Sequence, residues 1–498
     1  MKDSILGTSL RNLLFAVCLA GSQPLLALEC SDLNQLSSEQ VVITAAQDRA
    51  AETLEQRFGP ALNLAPHCRI AATLHPRQSS QIEMEVWMPS DWNGKFLALG
   101  NGGWAGSISY SAMATGLAAG FAVASNDTGH SGGSAAFALE HEDKIVDFAW
   151  RAMHEMTIIA KAVVETFYQR SPRLSYFQGC STGGRQGLKE AQMYPADFDA
   201  IIVGAPVNNQ VTLNATQLDT MIHFIEDRDA ALTPDKVQLV HNAVLATCEV
   251  NDGVEDGFLN DPLACGFEPG TLQCARRSET DQCLTREEVR SVERAYAGVF
   301  SQNDNLLYPG HAKGFELGWR IPAEGAEPSA LQSDATRYIA RGDADWDWRT
   351  FDLDEDLALA QQRAGYIEAL QTDLGAFKAR GGKILMYHGW NDPGPSPLNT
   401  IDYYEDVLAT MGPEQSDWMR LFMMPGVGHC AGGIGPDQAN FLAAIDDWAE
   451  NGNAPTRIIA SRTRDGETDM TRPLCPYPQV AVWDGAGDTN NAASFSCQ

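Results

Sequence analysis

Ser181 sits in the run Gly179-Cys180-Ser181-Thr182-Gly183, and far downstream His429 immediately precedes Cys430. A serine hydroxyl becomes a useful nucleophile only when a base takes its proton and an acid orients that base. In a Gly-x-Ser-x-Gly run the glycines permit a sharp, strained turn that pushes the serine oxygen outward. Asp392, in His388-Gly389-Trp390-Asn391-Asp392-Pro393, and His429, in Pro425-Gly426-Val427-Gly428-His429, follow Ser181 in the order serine, acid, histidine. That order is the one used on open α/β sheets. The chemistry predicted is acyl transfer, with Ser181 as nucleophile, His429 as general base and then acid, and Asp392 as the orienting carboxylate. His130 and His388 compete for the base role, but His130 precedes the serine and His388 lies at a strand end beside Asp392. Both are read as structural hydrogen-bonding residues. Cysteines adjoin the nucleophile and the base, so a Cys180–Cys430 bond would tie the two together.

An oxyanion forming at the attacked carbonyl needs backbone N–H donors. Thr182, the residue after the serine, supplies one, and the turn Gly100-Asn101-Gly102-Gly103-Trp104 supplies the other. Gly103 is the favoured donor and Gly102 the rival. The competing reading of both glycine-rich runs is a pair of tight turns with a surface serine and no ligand.

These groups need strands and helices to hold them. Apolar strands are predicted at Lys95 to Leu99, Phe121 to Ser125, Leu174 to Gln178, Ala200 to Val203, Lys383 to Tyr387 and Leu421 to Met424. The serine, acid and histidine runs each begin at the end of one of them. Between Asp147 and Gln169, Phe148, Ala152, Met156, Ile159, Val163 and Phe167 recur every three or four residues, the spacing of an amphipathic helix. Alternating strands and helices predict an α/β fold built on a mostly parallel sheet. The alternation stops after Pro206 and resumes at Lys383. The expected organisation is therefore a leader at 1–27, a first core part at 28–206, an inserted, mostly helical domain at 207–379, and a second core part at 380–498. Within the insertion, Thr233-Pro234-Asp235 reads as a capped helix start and Thr285-Arg286-Glu287-Glu288 as a capping box.

Composition agrees with a large globular enzyme: 498 residues, 44% hydrophobic and 20% charged. Lys2 and Arg11, a short apolar run from Leu13 to Ala20 and then small residues have the layout of a secretory leader. No later stretch approaches the roughly 20 apolar residues that span a bilayer. The net charge of −30 argues against nucleic acid or an anionic membrane as partner. Of 11 cysteines one falls in the leader, leaving an even number suited to an oxidising compartment, secreted or periplasmic. Sequence does not fix their connectivity. Proximity favours Cys30–Cys68, Cys248–Cys265, Cys274–Cys283 and Cys475–Cys497, and with those four paired Cys180 and Cys430 remain. Zinc finds no CxxC pair or His-rich spacing to bind.

The run Gly179 to Arg185, the Gly100 to Gly106 turn, His388-Gly389-Trp390, Gly428-His429-Cys430 and the tail Arg472-Pro473-Leu474-Cys475-Pro476-Tyr477-Pro478 together resemble the tannase and feruloyl esterase family. The resemblance covers essentially the whole mature chain. It implies an α/β-hydrolase core, a large lid inserted after the sixth strand, and a disulfide joining the cysteines beside serine and histidine. It also implies hydrolysis of aromatic-acid esters of feruloyl, other hydroxycinnamoyl or galloyl type or, in a related branch, of mono(2-hydroxyethyl) terephthalate.

A structural calcium ion in the lid is implied as well. Here Glu249, Asp252 and Asp256, with glycines at 253 and 257, offer carboxylates in a short loop. The carbonyls of Val254 and Phe258 would complete an oxygen shell suited to a hard cation. The chain departs from the family pattern at Glu249, where aspartate is usual. An acidic turn without metal is the competing reading. Trp319, Arg337, Tyr338, Trp346 and Trp348 are candidate substrate contacts, with Trp319 and Arg337 preferred, although tryptophans in a helical lid more often form core. The loop Pro393 to Pro397 would shape the pocket wall. The expected activity is therefore a serine carboxylic ester hydrolase acting on a small aromatic ester. A serine peptidase or acyltransferase could use the same three groups, and a calcium-dependent, non-catalytic binding protein is the alternative of another class. Nothing in the sequence fixes an oligomeric state.

Overall fold

The computed structural model describes residues 28–55, 60–104, 106–227, 231–275, 282–319, 322 and 325–498; the expected leader lies outside the described residues. One nine-stranded sheet organises the chain. Its strands are β1 (Val41–Arg49), β2 (His67–Leu74), β3 (Ile82–Pro89), β4 (Lys95–Leu99), β5 (Ala122–Asn126), β6 (Leu174–Cys180), β7 (Ala200–Gly204), β8 (Lys383–Gly389) and β9 (Met419–Met424). They lie in the order β1-β2-β3-β5-β4-β6-β7-β8-β9. From β5 to β9 neighbouring strands are parallel, whereas β1, β2, β3 and β5 pair antiparallel. Strands β4, β5 and β7 are buried along their whole length, as expected where helices cover both faces.

On one face α2 (Ala152–Tyr168), α3 (Thr182–Met193) and α8 (Pro397–Met411) pack over Phe96, Phe177, Ile201, Ile384 and Leu421. On the other, α1 (Tyr110–Ala118) and α9 (Phe441–Asn451) cover Leu97, Val123, Tyr176, Ile202, Leu385 and Phe422. The predicted periodic helix forms, but its first turn, Asp147–Arg151, is a π-helical turn.

Between β7 and β8 the chain leaves the sheet. Set the antiparallel edge strand β1 aside and this excursion follows the sixth strand. It contains α4 (Gln210–Glu226), α5 (Pro234–Cys248), α6 (Arg286–Ala297) and α7 (Leu353–Ala364), together with a short ribbon, Val299–Phe300 with Leu306–Tyr308. Thr233 caps α5 through the N–H of Lys236, and Thr285 with Glu288 forms the reciprocal capping box of α6. The excursion shares a core with the sheet domain, where Trp104, Phe137 and Phe148 pack against Val211, Ala215, Ile339 and Leu357. Arg185, fully buried on α3, fastens the two parts: its guanidinium donates to the carbonyls of Phe148, Ala149 and Ile367. With no carboxylate among those acceptors, burial pushes its pKa down to about 9. After β9, an antiparallel pair, Ile458–Arg464 with Glu467–Leu474, carries the tail back toward the insertion.

Among the described residues there are five disulfides: Cys30–Cys68, Cys180–Cys430, Cys248–Cys265, Cys274–Cys283 and Cys475–Cys497. Proximity predicted the four short-range bonds. Among the described residues no helix is long and apolar enough to cross a membrane.

Candidate active site

Ser181 occupies the one-residue gap between β6 and α3, with φ 63° and ψ −124°. An L-residue tolerates this left-handed geometry only where its surroundings enforce it. The Ser181 N–H donates to the Gly204 carbonyl at 2.9 Å, and its carbonyl accepts from Arg185 at 3.1 Å and Val207 at 3.2 Å. The glycines are required by contact. A Cβ on Gly179 would stand 2.5 Å from the Gly183 carbonyl, and one on Gly184 would stand 2.4 Å from the Gly204 carbonyl.

Thr182 opens α3, so its N–H belongs to the first helical turn, whose donors have no intrahelical acceptor. Its hydroxyl donates to the Gly103 carbonyl at 2.9 Å and pins the glycine turn beside the serine. That turn is held from behind by Asn101 and Gln186. The Asn101 N–H donates to Gln186 Oε1, and Gln186 Nε2 returns a bond to Asn101 Oδ1, both at 3.0 Å. Gly103 adopts φ +58°, whereas Gly102 is outside the left-handed region.

Asp392, fully buried after β8, accepts from His429 Nδ1 at 2.7 Å and from His388 Nε2 at 3.0 Å, both on Oδ2. Its Oδ1 accepts from the Gly394 N–H at 2.7 Å. Burial by itself would raise the carboxyl pKa, but the hydrogen bonds from the two histidines outweigh it and hold the group at about 2. His429 therefore faces a carboxylate through Nδ1, which fixes its tautomer and leaves Nε2 as an acceptor. His388 is fixed as well. Its Nε2 meets two acceptors, Asp392 and the Pro395 carbonyl, while Nδ1 meets the Thr400 hydroxyl at 2.7 Å. The Cys180–Cys430 bond, with Cα atoms 6.0 Å apart, joins the residue before Ser181 to the residue after His429.

The inserted segment braces this arrangement. Gln217 on α4 donates to the Gly394 carbonyl at 3.2 Å, Asn391 donates to the Gly314 carbonyl at 2.8 Å, and the Ser396 N–H donates to the Tyr308 hydroxyl at 3.0 Å. Leu331, half exposed, lies beside the glycine turn, with Cδ1 3.8 Å from a Cβ built on Gly103. No motif in the sequence marks it.

The named aromatic residues and Arg337 pack within the insertion and the core it shares with the sheet domain. Trp319 packs on Tyr296 against the small core around α5 and α6. Trp346 and Trp348 are buried against Leu218, and Tyr338 joins the shared core. Arg337 lies on the π-helical turn Ala335–Ala340, its guanidinium 5.9 Å from the Tyr338 ring centre.

In the acidic loop, Glu249 Oε1 accepts from the Gly257 N–H, so its longer arm folds back across the loop. Asp256 Oδ2 is paired with Nη2 of the buried Arg472. Gly253 and Gly257 take φ +85° and +91°, and Cys248–Cys265 closes the loop. Val254 and Phe258 are buried. The Asp252 side chain lies outside the described residues. Two anionic oxygen donors on a cross-linked, glycine-kinked loop fit a hard cation.

The Tannase and feruloyl esterase family model matches residues 68–498. The chain belongs to this family. A probable feruloyl esterase B-2 of Aspergillus terreus is 33% identical over 455 residues, covering 86% of each chain. An uncharacterized esterase of Xanthomonas campestris is 34% identical, covering 94% of this chain and 91% of its own. The crystal structure of feruloyl esterase B from Aspergillus oryzae superposes with TM-score 0.87 at 29% identity, covering 94% of this chain and 99% of that one. A tannin acyl hydrolase from Aspergillus niger shares the fold, with TM-score 0.77 at 22% identity over 92% of both chains. Membership of the tannase and feruloyl esterase family makes the chain a carboxylic ester hydrolase.

Proposed function

We propose that the chain hydrolyses small esters of aromatic acids, of feruloyl, other hydroxycinnamoyl or galloyl type, through an acyl-enzyme on Ser181. The observation that carries this reading is the Asp392–His429 bond at 2.7 Å on a histidine loop covalently tied to a strained serine turn. His429 Nε2 takes the Ser181 proton as Oγ attacks the ester carbonyl. The Thr182 and Gly103 N–H groups then receive the oxyanion. His429 passes the proton to the leaving alcohol, and the acyl group remains on Ser181. A water deprotonated by His429 attacks next, and the proton returns to Ser181 as the acid leaves. Asp392 stays ionised throughout, holding the imidazole tautomer and offsetting its positive charge.

The purified protein is expected to turn over methyl ferulate, methyl gallate or chlorogenate faster than mono(2-hydroxyethyl) terephthalate and peptide amides, and Ser181→Ala should lose at least about 10⁴ in kcat. A parent inactive on all the aromatic esters, or an S181A variant of undiminished activity, would overturn the assignment.

Five disulfides support a site of action outside the cytoplasm. Glu249, Asp252 and Asp256, with the Val254 and Phe258 carbonyls, are proposed to hold a structural calcium ion, which takes no part in the chemistry. Calcium added back to chelator-treated protein should raise Tm by several degrees, and Glu249→Gln should weaken the response. No change in Tm over millimolar calcium would remove the ion from this account.

A further inference from the structure

His154 on α2, Glu190 on α3 and Asp197 in the turn between α3 and β7 converge away from the serine. One nitrogen or oxygen from each lies within 4.8 Å of those of the other two, the one such group among the described residues. His154 Nδ1 is 2.6 Å from Asp197 Oδ2. Glu190 is 1% exposed, and among the described residues no N–H group or hydroxyl donates to its Oε2; the carboxyl beside it is that of Asp197. An unpartnered, buried carboxylate oxygen is costly unless something neutralises it. We propose that these three side chains bind a divalent transition-metal ion of the zinc type, which would clamp α2 to α3 behind the nucleophile turn.

The donor chemistry selects the ion. One imidazole nitrogen and two carboxylates suit zinc, whereas calcium prefers six to eight oxygens. The site is partly built. Tyr194 stacks on the His154 ring at 3.5 Å between centres and 11° between planes, which fixes the ring. The Tyr194 N–H donates to the Glu190 carbonyl at 2.8 Å, and the Asp197 N–H donates to the Tyr194 carbonyl at 2.9 Å, which holds the turn. His154 and Asp197 retain 16% and 14% side-chain exposure, leaving a way in for the ion and for a water as fourth ligand. Tetrahedral zinc with bonds near 2.0–2.1 Å spaces its ligands about 3.3 Å apart, so the His154–Asp197 contact need open by less than about 1 Å.

Lys161 is the opposing charge. It donates to the Asp197 carbonyl, so the ion must enter beside it. The spacing 154, 190, 197 matches no sequence pattern for zinc, which is why only the fold assembles the three.

The test is zinc titration by calorimetry of the full chain, stripped of metal and kept in calcium, with cobalt absorption as a second readout. One zinc per chain is expected at the cluster, with affinity falling at least tenfold in Glu190→Gln and in His154→Gln. Glu287→Gln, at an exposed carboxylate on α6, should leave it unchanged. Cobalt bound to the parent should show visible bands that change in H154Q, a reading that still holds if E190Q fails to fold. Absence of zinc binding in the parent at micromolar concentration, or equal affinity in parent and H154Q, would overturn the site and leave a proton-sharing cluster.

Discussion

Asp392 concentrates the demands of the site, because one carboxylate orients two histidines. His388 is fully buried and is hydrogen-bonded to Asp392, Thr400 and the Pro395 carbonyl, so it acts by positioning Asp392. Replacing it with leucine removes one of three donors to the carboxylate. A charge-assisted hydrogen bond of this kind contributes about 1.5–3 kcal/mol, so kcat should fall about tenfold to a hundredfold with KM little changed. His388→Gln, which retains a donor, should recover part of the loss. The pH dependence of stability separates positioning from simple packing. The carboxyl is held at about 2 against an ordinary 3.8, so its contribution is present above pH 3.8 and is lost as pH falls through 2. H388L raises the folded-state value, so acid unfolding should begin at higher pH in that variant than in parent or H388Q. Identical acid-unfolding midpoints in all three would show that His388 does not hold the carboxylate.

At the scale of elements, the glycines of the serine turn separate geometry from sequence habit. A methyl group on Gly184 meets backbone at 2.4 Å and cannot be relieved by a rotamer change, whereas one on Gly102 meets nothing within 4 Å. Gly184→Ala should therefore cost about 1–3 kcal/mol and shift α3 with its Thr182 donor, lowering both Tm and kcat, while Gly102→Ala should be close to neutral. Equal stability of the two variants would refute the packing argument. The same elements show what sequence patterning conveys. Strands β4 to β9 are short apolar runs ending in turn residues, and each proposed active-site group follows one of them, so its place at a strand end is legible in the sequence. Strands β1 to β3 were not anticipated. They are antiparallel, and β1 mixes exposed and buried positions at the sheet edge, so it lacks the continuous apolar run that marks the central strands. The Asn101–Gln186 bracket spans 85 residues and Leu331 carries no motif, so neither is visible before folding. Trp319, Trp346 and Trp348 mark the opposite limit. Residue type announces a large apolar contact, but only the packing tells core from pocket.

For the whole molecule, the decisive link is the bond between Cys180 and Cys430, which spans 250 residues and encloses the entire insertion. Closing so long a loop in the unfolded chain stabilises the fold by about 4–5 kcal/mol in the chain-entropy model. It also fixes the serine turn, at the end of β6, to the histidine loop, after β9. Those strands are separated in the sheet by β7 and β8, so no direct ladder holds the two loops in register. The histidine loop is otherwise tied to the acid loop, by the Asn391 N–H to the Val427 carbonyl at 2.9 Å and by the Asp392–His429 bond, while Gln217, Gly314 and Tyr308 brace the acid loop. A Cys180→Ala/Cys430→Ala variant leaves the other four disulfides intact and isolates this bond. Its Tm should fall, and at a temperature where circular dichroism shows it fully folded its kcat should still fall, because serine and histidine are then free to separate. Full activity under that condition would confine the bond to stability, and an unchanged Tm would contradict the loop-entropy argument itself.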